Sequence, residues 1–259
     1  MNKLGVLDLF SGIGGFSLGL ERTGGFKTVA FCEIEEFPQK VLAKHWPGVP
    51  IYDDVRELTA ERLRADGITV DVITGGFPCQ DISVAGNQKG IGEGTRSGLW
   101  SELTRIIGEV RPRYAIVENV TALISGERGR WFGRVLGDLA EIGYDAEWHC
   151  IHPAHIGIPS IRDRVWVCAY PKEKHVEKVV VQGRLSLKPR GMGAAHLRES
   201  GWSVDLRIMG RGINGVSDRV DRFGGLGNAV VPQIPELIGY AIIDAINSQQ
   251  ATTKAPNRG

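Results

Sequence analysis

The chain opens with the apolar run Leu4-Gly5-Val6-Leu7-Asp8-Leu9-Phe10, which breaks into Ser11-Gly12-Ile13-Gly14-Gly15. A short apolar run ending in glycines predicts a buried strand entering a tight turn. Helical spacing resumes over Phe16 to Leu20. A second strand is predicted from Thr28 to Cys32, ending at Glu33, and then a helix near Glu35 to His45. Thr59 to Ala65 reads as a short polar helix, and Val70 to Thr74 as a strand running into Gly75-Gly76-Phe77-Pro78-Cys79-Gln80. From Ser83 to Gly98 the chain is glycine-rich with little periodicity, and a loop of that length inside a compact domain is usually functional or disordered. Leu99 to Val110 predicts a helix, Tyr114 to Val117 a strand, Trp131 to Ile142 a helix, and Ala146 to Ile151 and Val165 to Ala169 two further strands.

Strands that are nearly continuously apolar and alternate with helices indicate an α/β fold with a parallel sheet covered on both faces. Between Pro171 and Arg222 the periodicity fades into short Lys/Arg-, Gly- and Ser-containing pieces. An amphipathic helix is predicted over Leu237 to Ile246, followed by a polar tail from Asn247 to Gly259. The expected organisation is therefore an α/β body over residues 1–170, an irregular insert over 171–222, and a segment over 223–259 that returns to the body. No internal repeat is visible.

With 259 residues, 42% hydrophobic and 24% charged, the composition fits one globular domain or one domain with a small appendage. Glycine is the outlier at 35 residues, nearly twice the usual share of about 7%. A formal net charge of +1 excludes a uniformly basic nucleic-acid coat. That sum hides an asymmetry. Residues 1–170 carry 18 Lys/Arg against 22 Asp/Glu, residues 171–222 carry 11 against 6, and residues 223–259 carry 2 of each. A basic insert beside an acidic body is either a polyanion-facing segment or a solvated loop.

The four cysteines, Cys32, Cys79, Cys150 and Cys168, form no C-x-x-C pair, which favours reduced thiols over a disulfide framework or structural zinc. In His149-Cys150-Ile151-His152-Pro153-Ala154-His155 the histidines alternate with other residues as on a strand, and no second ligand cluster completes a metal centre. Asp8 interrupts the first apolar run, so no signal peptide is expected. No run has the length and composition of a membrane span, so a soluble cytoplasmic protein with no membrane partner is expected.

Three places invite chemistry. A glycine turn after a first strand, with an acidic residue ending the second, is the arrangement that binds nucleosides: glycine lets the backbone approach, and the carboxylate accepts from ribose hydroxyls. Gly12 and Glu33 are 21 positions apart, close to the expected spacing of about 20. The G-x-G-G ending lacks the full dinucleotide pattern and turns the reading toward a nucleoside without pyrophosphate, such as S-adenosylmethionine, with a purely structural turn as the alternative. Cys79 stands just past a strand end, where open α/β sheets place their chemistry, as a nucleophile or a packed small residue. Glu118 stands after the strand predicted over Tyr114 to Val117, as a general acid or a helix cap.

Together the pieces are more specific. Asp8-Leu9-Phe10-Ser11-Gly12-Ile13-Gly14-Gly15, Glu33, Gly76-Phe77-Pro78-Cys79-Gln80, Glu118-Asn119-Val120, Arg162-Asp163-Arg164 and Gly227-Asn228-Ala229-Val230-Val231-Pro232 follow in one order. This ordered set closely resembles the DNA (cytosine-5)-methyltransferase family, from Leu4 to about Ile246.

The resemblance implies a Rossmann-like, S-adenosylmethionine-dependent methyltransferase with a mostly parallel sheet, acting on double-stranded DNA. Cys79 would add to C6 of the cytosine ring and Glu118 would hold or protonate N3. Arg164 would support the base carbonyl and the carboxylate, and Arg162 would touch the nucleotide. Phe10, Ile13 and Gly14 match the cofactor turn, Glu33 the ribose contact, Asp54 and Val55 the adenine side, Leu99 a pocket wall, and Asn228 and Val230 the late motif that closes the site. The segment Ser83 to Gly98, with Arg96, matches the mobile loop over the extruded base. Residues 171–222 match the target-recognition region, and a cognate restriction endonuclease in a bacterial or phage system is an implied partner. No metal is implied.

Two departures stand out: Ser160 occupies the place of the family's usual glutamine, two residues before Arg162, and the recognition region is short. Two alternatives keep parts of this reading. One is a tRNA cytosine-5 methyltransferase, whose distinguishing tripeptide is not seen here. The other is a non-catalytic DNA-binding relic.

Overall fold

Leu4, Val6, Leu7 and Leu9 are all buried in β1 (Leu4–Leu9), as a near-continuous apolar run requires of a strand covered on both faces. The computed structural model describes residues 2–78, 98–153, 163–172 and 229–254. After β1 come α1 (Gly15–Arg22), β2 (Phe26–Cys32), α2 (Glu36–His45), β3 (Ile51–Tyr52), α3 (Ala60–Ala65) and β4 (Val72–Gly75). The second half contributes α4 (Leu99–Val110), β5 (Tyr114–Val120), α5 (Ala122–Ser125), α6 (Arg130–Glu141), β6 (Tyr144–Ile151), β7 (Arg164–Pro171) and a C-terminal helix, α7 (Gln233–Lys254).

The strands form one seven-stranded sheet in the order β3-β2-β1-β4-β5-β7-β6. The pairs from β3 through β5 are parallel, whereas β7 runs antiparallel to both β5 and β6. The expected parallel sheet is thus mostly parallel, with one strand reversed. Only 12 residues separate β6 from β7, about the minimum for a parallel crossover with its helix.

Side-chain alternation splits the core in two. On one face Leu7, Leu9, Ile73 and Val117 pack with Trp100, Leu103 and Ile107 of α4 and Val135 and Leu139 of α6. On the other, Val6, Ile116 and Trp166 pack with Phe16 and Leu20 of α1 and Ile238 and Ile242 of α7. α7 packs against α1, and the fit is close. A Cβ on Gly15 or Gly19 would collide with the carbonyl oxygens of Val230 and Pro232.

Several boundaries differ from the sequence reading. β5 extends three residues past Val117, because its last residues pair with β7, Val120 lying opposite Arg164. Glu118 therefore sits inside a strand rather than after it. α7 continues past Ile246 to Lys254, since no glycine or proline interrupts the chain before Pro256. The short β3 was not predicted; its two residues complete the sheet edge beside Phe31 and Cys32.

Candidate active site

The parallel strands all deliver their carboxyl ends to one edge of the sheet, the edge at which open α/β folds bind ligands. At the end of β1 the backbone turns sharply: Phe10 (φ 52°), Gly12 (φ 52°) and Gly14 (φ 84°) are all left-handed. Gly14 is required twice over, since a Cβ there would also lie 2.7 Å from the Trp46 ring. The Ser11 hydroxyl fastens the turn by donating to the Asp8 carbonyl at 2.5 Å, and it accepts from the Cys32 N–H at 3.3 Å.

The spacing between Gly12 and Glu33 has a direct structural meaning. The Gly12 N–H donates to Glu33 Oε2 at 2.7 Å, and the Glu35 N–H donates to Oε1 at 2.9 Å. Burial pushes the Glu33 carboxyl above its ordinary range, and the backbone donors oppose that shift. Next to it Ile34 is 62% exposed, an aliphatic face beside the carboxylate. Past β3, Asp54 is bound by Arg56, whose guanidinium Nη2 lies 2.5 Å from Oδ2 and whose hydrogen bonds hold the Asp54 carboxyl below the usual range. Val55 is buried, while Phe10 and Leu99 pack partly buried on the same core. Ile13 is half-buried in the turn, and Val230 lies against Gly15 beneath it.

At β4 and β5 the turn that leads toward Cys79 is held from two sides. Phe77 is buried against Trp100, with ring centroids 5.2 Å apart, and its carbonyl accepts from Asn119 Nδ2 at 3.2 Å. A Cβ on Gly76 would lie 3.0 Å from Glu118 Oε2, so the glycine leaves room for that carboxylate. Arg164 Nε stands 2.7 Å from Glu118 Oε1, both side chains being mostly buried. This is a diagonal cross-strand pair: Arg164 lies opposite Val120, two residues along from Glu118 on the same face.

The structure places Phe10, Ile13, Gly14, Glu33, Asp54 and Val55 on the segments that follow β1, β2 and β3, with Leu99 at the start of α4 and Val230 against Gly15, and it places Glu118 and Arg164 beside each other on β5 and β7. Cys79, Arg96, Arg162, Asn228 and Ser160 lie outside the described residues, as does nearly all of the 171–222 insert. Among the described residues no group of three or more metal-ligating side chains occurs, and no helix is long and apolar enough to cross a membrane.

Sequence reasoning missed three contributors. Asp8 is fully buried and accepts from Ser17 Oγ at 2.8 Å and Thr74 Oγ1 at 2.7 Å, tying β1 to α1 and β4. Burial raises its carboxyl to about 7, with both hydroxyl donors pulling the other way. Its signal was a lone acid inside an apolar strand. Asn119 and Ile34 carried no comparable signal, being polar and apolar residues in ordinary surroundings.

The family model of the C-5 cytosine-specific DNA methylases matches residues 4–200. The chain belongs to this family. Among relatives of the chain, the type II methyltransferase M2.BsuMI of Bacillus subtilis (strain 168) is 33% identical over 213 residues, covering 79% of this chain and 53% of its own. The type II methyltransferase M.Sau3AI of Staphylococcus aureus is 34% identical over 198 residues, covering 71% of this chain and 48% of its own. A solved E. coli prophage protein, described as a DNA modification methyltransferase, superposes with a TM-score of 0.56 at 27% identity over 66% of this chain and 47% of its own. The chain spans about half the length of the curated relatives it matches.

Proposed function

We propose that the chain is a DNA cytosine-5 methyltransferase, transferring a methyl group from S-adenosylmethionine to C5 of a cytosine flipped out of duplex DNA. The observation that carries this reading is the Glu118–Arg164 pair beside Gly76, on the sheet edge that also holds the Gly12–Glu33 turn.

The residues at that edge fit the cofactor's chemistry. A buried carboxylate at Glu33 suits ribose hydroxyls, the exposed Ile34 and the buried Val55 are apolar neighbours for a purine, and the Asp54 carboxylate suits an amino group. When bound, S-adenosylmethionine supplies an electrophilic methyl group on a sulfonium. Phe10, Ile13, Gly14 and Leu99 would enclose it, with Asn228 and Val230 closing the pocket.

Cytosine C5 is a weak nucleophile and must first be activated. The thiolate of Cys79, three residues after Gly76, would add to C6, a role that suits the intrinsic nucleophilicity of sulfur. Glu118 would hold or protonate N3 as charge leaves the ring. Arg164 keeps the Glu118 carboxylate aimed and would support the base carbonyl, with Arg162 on the nucleotide. After methylation, loss of the C5 proton and elimination of Cys79 restore aromaticity. Arg96 belongs to the segment that would cover the extruded base, whose removal from the stack costs a few kcal/mol.

In this reading residues 1–170 form the catalytic and cofactor-binding unit, 171–222 read the target and 223–259 return to the body. The bacterial relatives, named type II methyltransferases, support a cytoplasmic setting and a cognate endonuclease in the same system. The test is transfer of labelled methyl groups from S-adenosylmethionine to duplex DNA and to tRNA in parallel. Label in DNA cytosines supports the reading, label in tRNA alone replaces the polymer, and DNA binding without turnover in the presence of cofactor marks a relic.

A further inference from the structure

The segment that follows β3 forms neither helix nor strand, yet it carries Asp54 and Val55, the adenine side of the proposed pocket. Val55 and Leu58 bury their side chains in the core, which fixes the segment's position but not the orientation of its peptide planes. One side chain of α4 does that. Arg105 Nη2 donates to the carbonyl oxygens of Val55 and Leu58, both at 3.0 Å. Its remaining donors are anchored, Nε to Glu102 at 2.8 Å and Nη1 to Glu109 at 2.8 Å, so the guanidinium fork cannot rotate freely. Glu109 in turn accepts from the Ala60 N–H at 3.1 Å, holding the start of α3 to the same helix.

The bond to Val55 reaches further than the carbonyl. The Val55 carbonyl and the Arg56 N–H belong to one planar peptide unit. Arg105 grips that unit at its oxygen, and the Asp54 carboxylate accepts from its N–H at 2.9 Å. The orientation of the Asp54 carboxylate is therefore linked, through a single rigid plane, to a guanidinium on another helix.

We infer that Arg105 is a positioning residue for cofactor binding, acting through the Val55–Arg56 peptide plane to orient Asp54. This rests on the proposed S-adenosylmethionine site. Lysine would keep the positive charge beside Glu102 and Glu109, but its point-like ammonium cannot reproduce the planar fork that serves two carbonyls and two carboxylates together.

The experiment compares wild type, Arg105→Lys and Arg105→Met. Calorimetry gives the Kd for S-adenosylmethionine and S-adenosylhomocysteine, steady-state assays give KM and kcat, and thermal melts report folding. The expected result is a rise of about tenfold in Kd and KM for the cofactor in both variants. The kcat at saturating cofactor should stay within about twofold of wild type, because Glu118 and Arg164 are untouched. A purely structural role would lower Tm and kcat with Kd unchanged in the folded fraction, and that outcome overturns the inference. Should Arg105→Met fail to fold, Arg105→Lys with wild-type cofactor affinity overturns it equally. Failure of the wild-type protein to bind either ligand rejects the cofactor site itself, a result separable from the other two.

Discussion

Arg164 begins the strand that runs antiparallel to β5, and this reversal brings its Nε to 2.7 Å from Oε1 of Glu118, 46 positions earlier in the chain. Both side chains are mostly buried, with 20% and 16% exposed, so neither charge is fully compensated by water. Removing one partner of such a pair leaves the other stranded in a poorly solvated place.

Replacing Arg164 with alanine should lower kcat by at least about tenfold, the scale of one charge-assisted hydrogen bond, with little effect on cofactor KM. Glu118→Gln should also lower kcat. The double variant should lose less than the sum of the two single losses, with a coupling of roughly 0.5–3 kcal/mol. Strict additivity in steady-state kinetics would show that the two side chains act independently.

Cys79→Ser should abolish turnover and leave S-adenosylmethionine affinity nearly unchanged, since a hydroxyl is a far weaker nucleophile than a thiolate. DNA carrying 5-fluorocytosine at the target cannot lose its C5 substituent and should trap a covalent adduct with the wild-type chain. A denaturing gel without a shifted band, under conditions where normal DNA is methylated, would reject covalent catalysis.

Glu33 oxygens accept from the Gly12 and Glu35 N–H groups, and in the proposed function they also meet the cofactor ribose. Glu33→Ala should therefore weaken cofactor binding by roughly 1.5–3 kcal/mol or more, the scale of a lost bond to a charged group. Glu33→Gln keeps one oxygen acceptor and should lose less. Equal cofactor affinities for the two variants by calorimetry would show that the turn does not depend on these bonds.

Asp8 makes folding stability depend on pH. Its carboxyl is raised from 3.8 to about 7 in the folded protein, mainly by burial, so the folded state holds a proton that the unfolded chain releases. The contribution is present in full below about 4 and is lost as pH rises toward 7. Glu33, also raised, acts in the same direction. Between pH 5 and 7 stability should fall by at most about 1.4 kcal/mol per pH unit for Asp8 alone. In Asp8→Asn this slope should flatten, and thermal melts across that range measure it.

Gly19→Ala opposes two effects. Alanine gains about 1 kcal/mol of helix propensity, but its Cβ would collide with the Pro232 carbonyl, a backbone atom that cannot rotate away. Overpacking of this kind costs roughly 1–3 kcal/mol, so the variant should melt at lower temperature than wild type. A higher Tm would mean that the chain entering α7 moves easily off α1.

The Gly12–Glu33 turn was legible in the sequence because it is local. Gly12 and Glu33 belong to one strand-turn-helix-strand unit, and a spacing of 21 residues translates directly into the 2.7 Å bond between them. The Arg164–Glu118 approach was not legible from the apolar pattern, since a buried strand reads the same in either direction. The available hint was the short connection between β6 and β7. The role of Arg105 was equally hidden, since an arginine among glutamates on a helix looks like a solvated face until its two carbonyl acceptors are seen.

The reversed β7 also decides where the chain leaves the sheet. The strand starts beside Glu118 and ends at the opposite edge, where the Lys172 N–H donates to the Gly143 carbonyl. The next described stretch begins at Ala229, and Val230 is seated under the β1–α1 turn on the first edge. Lys172 and Val230 thus stand at opposite rims, roughly 25 Å apart along the strand direction at about 3.3 Å per residue over an eight-residue strand. A graft exchanged between these two points must bridge that height, and one trimmed to a few residues would pull Val230 from beneath the β1–α1 turn.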